Sequence, residues 1–122
     1  MSAKRCQPAL GRRQRLAMGV LADHGVWQVG MPYGIGSDYE TGKVMGSLVG
    51  QGLVAFFTRD WVYRLTMAGY AWLIREAADD LGMTEFGSDA AEQMVNRIKH
   101  LAQCARLTGL QHNPVNWRGE PV

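Results

Sequence analysis

Residues 53–65 read LVAFFTRDWVYRL. Two runs of aromatic and β-branched residues flank the polar Thr58-Arg59-Asp60. Such runs favour extended backbone, and a short polar break between them favours a hairpin, although the strong Asn-Gly or Asp-Gly turn pair is missing. On either side of this one β signal the apolar residues fall at helical spacing. The pattern therefore constrains the chain to a mainly α fold with a small β-hairpin. At 122 residues it suits one core.

Arg12 to Asp23 reads as the first helix, with Leu16, Ala17, Val20 and Leu21 on its apolar face and Gly25 as its stop. The following VWQVGMPYGIGS is irregular. Val26 to Val29 suits a short strand, while Pro32 with Gly30, Gly34 and Gly36 leaves room for one helical turn at most. Ser37 or Asp38 caps a second helix, Tyr39 to Gln51, and Gly52 closes it. Thr66 caps a third, Met67 to Leu81, ended by Gly82, with Leu73, Ala77 and Leu81 toward the core. Ser88 or Asp89 starts a fourth, which runs to about Leu107. From Thr108 onward the composition is that of a tail.

The run Leu48-x-x-x-Gly52-Leu53-Val54, followed after the hairpin by Tyr63-Arg64-Leu65-Thr66-x-x-Gly69, resembles the winged helix-turn-helix domains of bacterial and phage regulators. In that family a recognition helix ends in glycine and a Leu-Val or Leu-Ile pair. A hairpin wing follows, and a strand ending in Leu-Thr opens the next helix. The resemblance covers Leu10 to Leu81. It implies a flexible basic tail over 1–9, a winged-helix domain over 10–83, and a C-terminal amphipathic helix and tail over 84–122. Two features depart from the family. The first helix of the usual helix-turn-helix pair falls in the Gly- and Pro-rich segment. The wing is short, and Arg59 is its only basic tip residue.

The resemblance implies a transcriptional regulator whose second helix enters double-stranded DNA. At about 100° per residue, Thr41, Val44, Met45, Leu48 and Gly52 share the core side of that helix. The opposite side carries Tyr39, Lys43, Gly46, Ser47 and Gly50, with Gly42 at its edge. Lys43 and Tyr39 then contact phosphate, Ser47 reaches a base edge, and Arg59 touches the backbone from the wing. Arg12 and Arg13, with Arg15, crowd the first turn of the first helix, either as a solvated face or as further phosphate contacts. The glycines at 42, 46 and 50 cost roughly 2–3 kcal/mol of helix propensity together. A close neighbour should offset that cost. It is another part of this chain, a nucleic-acid groove, or another protein.

Charge leaves the last option open. Residues 1–64 carry eight Lys or Arg against four Asp or Glu, and residues 65–122 carry five against seven. The positive excess is mild for a DNA reader, and Asp38 and Glu40 at the start of the second helix repel phosphates. The alternative is a winged-helix protein-binding module, phage- or mobile-element-encoded, that acts on host machinery without reading DNA sequence.

Other classes find little support. No apolar run approaches the roughly 18 residues of a membrane span, and no long apolar stretch follows the basic start, which argues for a cytoplasmic protein. Cys6 and Cys104 form no disulfide framework. GSDYETGKV departs from a phosphate-binding loop, because Gly36 lies six positions before Gly42 and Val44 replaces the required Ser or Thr. His100, Cys104 and His112 lack the spacing of a metal site, so no cofactor is expected. His24 suits a helix end, and Asp79 and Asp80 suit a solvated face. No catalytic constellation stands out, and the chain reads as a non-enzyme. Alternation puts Phe56 and Phe57 on opposite faces, one exposed, or places them in a satellite core with Trp61 and Trp72.

The fourth helix has a stripe of Ala91, Met94, Val95, Ile98, Leu101, Ala102 and Ala105, opposite the polar Glu92, Asn96, Lys99 and Gln103. Its first reading is a homodimer interface through Met94, Val95, Ile98 and Leu101. The other reading folds the stripe back onto its own chain.

Overall fold

The computed structural model describes residues 9–112, with side chains through residue 108. Cys6, most of the expected basic tail, the His112 side chain and everything beyond residue 112 lie outside the described residues. The elements are α1 (Arg12–His24), α2 (Asp38–Gly50), β1 (Val54–Phe57), β2 (Val62–Leu65), α3 (Met67–Gly82) and α4 (Asp89–His112). The chain is mainly α with one antiparallel hairpin, as the pattern of apolar residues requires. It divides into two compact units, one ending at Leu65 and one starting at Thr66. α3 lies in the same unit as α4.

In the first unit, α1, α2 and the hairpin enclose a core of Met18, Leu21, Trp27, Met45, Leu48, Val54 and Leu65, all fully or almost fully buried. Burying a side chain of this size contributes roughly 1.5–3 kcal/mol. That cover is needed, because an isolated two-stranded hairpin is marginal in water. β1 and β2 pair from Val54 with Leu65 to Phe57 with Val62. The core face of α1 is rotated from the expected one. Ala17, Met18, Leu21 and Ala22 are buried, while Leu16 is exposed and Val20 half-buried. Met18, which the pattern leaves off the face, is the larger filler.

The 26–36 segment is held by single bonds and not by a regular element. The expected Val26–Val29 strand shrinks to one bridge, in which Trp27 exchanges backbone hydrogen bonds with Tyr63 at 3.1 and 2.9 Å. Positive φ angles at Gly30 and Gly36 turn the chain too sharply for a strand to continue. Thr41 fixes the far end of this segment from α2. Its buried hydroxyl accepts the Ile35 N–H at 2.8 Å and has the Ile35 and Ser37 carbonyls within donating distance, at 3.0 and 2.9 Å. His24 stacks on Tyr33 with ring centroids 3.7 Å apart, and the Tyr33 hydroxyl donates to the Val26 carbonyl at 2.9 Å.

In the second unit, the Thr66 hydroxyl caps α3 by accepting the Gly69 N–H at 3.0 Å. Tyr70, Trp72, Leu73 and Ala77 of α3 are buried, and Leu81 is half-buried. α3 and α4 pack on each other. α4 continues five residues past the expected Leu107, through the presumed tail, to His112. Gly109 does not stop it. Leu101 is fully buried within this single chain, Met94 and Ile98 are half-buried, and Val95 is exposed. Much of the stripe assigned to a second copy is thus covered in the chain itself.

Candidate nucleic-acid interface

α2 begins where Ser37 places it. The Ser37 hydroxyl accepts the Glu40 N–H at 3.1 Å, and the Glu40 carboxylate accepts the Ser37 N–H at 3.0 Å. This reciprocal capping box satisfies two backbone donors that a helix start otherwise leaves open. It also holds the Glu40 carboxyl below the usual carboxylate range, chiefly through the Ser37 N–H and next through the charge of Arg13. From that start, helical periodicity buries Thr41, Met45 and Leu48 and half-buries Val44. The core side is the expected one except at Gly52, which lies past the end of α2 and is exposed.

The outer side carries the expected set. Tyr39 is 75% exposed, and Lys43 and Ser47 are exposed. The Lys43 ammonium lies 5.5 Å from the Tyr39 ring centroid, a cation–π contact one turn apart. It presents the charge and the ring together. A Cβ built on Gly42, Gly46 or Gly50 meets nothing within 4 Å. Among the described residues, then, no tight packing within the chain accounts for the glycine stripe. The stripe is open, with Gly46 and Gly50 exposed and Gly42 half-buried.

α1 lies beside this face. The Gln14 side chain accepts the Gly11 N–H at 2.9 Å and donates to the Ser47 hydroxyl at 3.0 Å, while that hydroxyl donates to the Val44 carbonyl at 2.7 Å. Ser47 has thus committed its only proton within the chain, and a base contact would have to displace these bonds. Arg13 sits 3.6 Å from the Glu40 carboxylate, with both side chains about half exposed. An exposed pair of this kind is weak, and salt screens it. It nonetheless neutralises a carboxylate that would otherwise repel phosphate. Arg12 is exposed at the start of α1.

The hairpin turn runs over residues 58–61, one residue longer than expected, and Arg59 is exposed there. The extra residue is Trp61. It has φ +57°, a left-handed conformation that costs a bulky side chain strain, and it is 66% exposed. Trp61 meets Phe56 edge-on at 5.8 Å, and Phe56 meets Tyr63 at 4.7 Å. The expected satellite core held Trp61 and Trp72; the cluster here holds Phe56, Trp61 and Tyr63, with Trp61 at the surface and Trp72 buried in the second unit. Phe56 and Phe57 are both half-buried, so neither is the exposed member. Phe57 instead lies under the Arg64 guanidinium at 5.9 Å. Trp61 is the surface residue that sequence reasoning missed. Strand alternation cannot report it, because it belongs to the turn.

Elsewhere, the Cys104 thiol lies 3.6 Å from His100 Nε2, one turn apart on α4. Among the described residues, no three His, Cys, Asp or Glu side chains gather as a metal site would require. Among the same residues, no helix is long and apolar enough to cross a membrane. Comparison with protein-family models, curated proteins and solved structures finds no match, so the functional reading rests on the geometry of α2 and its surroundings.

Proposed function

We propose that the chain is a small cytoplasmic DNA-binding protein, a transcriptional regulator of winged-helix type. α2 enters the major groove, and the hairpin touches the backbone through Arg59. The observation that carries this reading is the outer side of α2. Tyr39 and Lys43 stand out from it, and the glycines beside them leave the helix backbone bare. A helix with side chains is about 10–12 Å across, and the major groove is about 12 Å wide. Removing side chains along one line lets such a helix sit deeper, with Lys43 and Tyr39 left to meet phosphates. Trp61, exposed in the same turn as Arg59, adds an aromatic surface to that cation. Two copies would set two α2 helices on adjacent half-sites. Sedimentation of the free chain decides whether the pair forms without DNA.

The test is selection of bound fragments from random double-stranded DNA at physiological salt, followed by gel shifts with Lys43→Glu. The substitution removes one phosphate attraction and adds a repulsion, on an exposed side chain that the core does not need. Binding should be lost while circular dichroism stays unchanged. Unaltered affinity in a folded variant refutes the assignment. The second reading, a protein-binding module, is favoured by the bonds that occupy Ser47 and by the mild charge. It gains if the selection enriches no fragment.

A further inference from the structure

We propose that the α3–α4 turn is a docking site for a basic amphipathic helix of another protein. That helix would seat an apolar anchor in the cavity and set its Lys or Arg side chains against the surrounding carboxylates. This site lies in the second unit and does not depend on the DNA reading. A cavity of about 570 Å³ opens there, lined mainly by Leu81, Phe86, Ala91 and Val95, with Glu92 and Ser88 as polar neighbours. The size falls within the range of about 300–1,000 Å³ typical of ligand pockets. Beside it the surface is unusually apolar. Phe86 is 100% exposed and Met83 is 81% exposed.

The turn that presents Phe86 is built, not loose. Thr84 donates its hydroxyl to the Asp80 carbonyl at 2.7 Å, and Ser88 donates to the Glu85 carbonyl at 2.7 Å. The Ser88 oxygen also accepts the Ala91 N–H at 3.2 Å, which caps α4. Gly87 supplies the left-handed residue, with φ +80°. These bonds order the backbone of the turn, so little backbone freedom is lost when a partner covers Phe86.

Charge identifies the kind of partner. Between Arg75 and Arg97 the chain has Glu76, Asp79, Asp80, Glu85, Asp89 and Glu92 and no Lys or Arg. Asp89 and Glu92 lie in the first turn of α4, where the helix dipole favours them. Asp79 and Asp80 lie in the last turn of α3, where it opposes them, and that turn has no basic residue. All but Glu76 are exposed. Carboxylates at that end of α3 gain nothing from the helix dipole, and they are complementary to a cationic partner. A helix with an apolar stripe and basic flanks satisfies both the cavity and its rim.

The probe is a fluorescein-labelled synthetic peptide of about 14 residues, roughly 20 Å as a helix, made of Leu and Lys with one Trp. Its control replaces every Lys with Glu. Binding to the full chain is read by anisotropy. The Lys peptide should saturate at one per chain, and the Glu peptide should not bind. Phe86→Ser and Glu92→Lys should each weaken binding about tenfold or more, while Asp60→Lys, in the hairpin turn, should leave it unchanged. Circular dichroism of each variant checks the fold, and Ala91→Trp, which puts a bulky ring into the cavity without changing charge, should reproduce the loss. Equal binding of the two peptides overturns the proposal. So does equal loss in Asp60→Lys, or full affinity in folded Phe86→Ser and Ala91→Trp. Self-association of the chain that Phe86→Ser abolishes overturns it in favour of a second copy as the occupant.

Discussion

Gly34 and Gly46 lie on opposite sides of α2, and alanine at each should act in opposite directions. A Cβ at Gly34 would stand 2.9 Å from Thr41 Oγ1 and 3.3 Å from Trp27 Nε1. Both neighbours are fully buried, and Thr41 cannot retreat without disturbing the bonds that hold residues 35–37. Gly34→Ala should therefore lower stability by about 1–3 kcal/mol, the usual range for overpacking. Gly46→Ala meets nothing and should raise it by about 1 kcal/mol. Thermal melts check both signs, and a lower midpoint for Gly46→Ala would show that something does pack on the stripe. The same variant should bind DNA more weakly if the bare backbone is what enters the groove. Glu40 sets a pH response. Its folded-state pKa is lowered from 4.5 by the Ser37 N–H and by Arg13. A lowered pKa means that its stabilising contribution is present above the ordinary carboxylate range and is lost as the pH falls through it toward the lowered value. Glu40→Gln keeps an oxygen for the Ser37 N–H but cannot titrate. Its urea midpoint should fall less steeply than that of the natural chain below pH 4.5. Parallel acid limbs would show that Glu40 contributes nothing there.

At the scale of elements, legibility followed local chemistry. Ser37 and Thr66 announce their helices because a side-chain oxygen three residues before a free N–H is a local signal. Gly25 and Gly52 announce the ends of their elements, because both turn left-handed. The 26–36 segment was not legible. Its form depends on Tyr63, which is far along the chain from Trp27, and on the Thr41 hydroxyl, whose bonds to Ile35 and Ser37 periodicity does not report. The end of α4 was missed for a different reason: Gly109 and the polar residues after it weaken a helix without forbidding it. On α2 the sequence placed the right residues outward, but it could not show that Gln14 and Val44 already engage Ser47. The stripe on α4 was visible as a stripe, whereas its occupant was not, since an apolar face does not say what covers it. Leu101 makes the distinction measurable. It is fully buried in the single chain. Leu101→Ala should cost about 2–5 kcal/mol, the range for a large-to-small core change. Urea melts at two protein concentrations test this. A loss that disappears on dilution would assign Leu101 to an interface between copies instead.

Over the whole molecule, charge is divided as the two proposed surfaces require. The half up to residue 64 has the positive excess and the half from residue 65 has the negative one. Within the second unit, the run from Glu76 to Glu92 suits a cationic partner and would repel a phosphate backbone. The positive excess in the first half is small, so few phosphates can be engaged. Lys43, Arg59 and Arg12 are exposed. Arg13 already shares its charge with Glu40. If each of the first three neutralises one phosphate, the logarithm of the association constant should fall with the logarithm of salt concentration with a slope of about −2.7 per copy, at about 0.9 per contact. Lys43→Gln should bring that slope to about −1.8 while lowering affinity similarly for every sequence, because a phosphate contact positions the protein but does not read bases. Anisotropy titrations across a range of salt concentrations give both numbers. A slope near zero would remove the phosphate contacts from the reading and leave a protein as the partner of α2. A much steeper slope would bring in Arg13 and Arg15 of α1 or basic residues outside 9–112, where Lys4 and Arg5 lie.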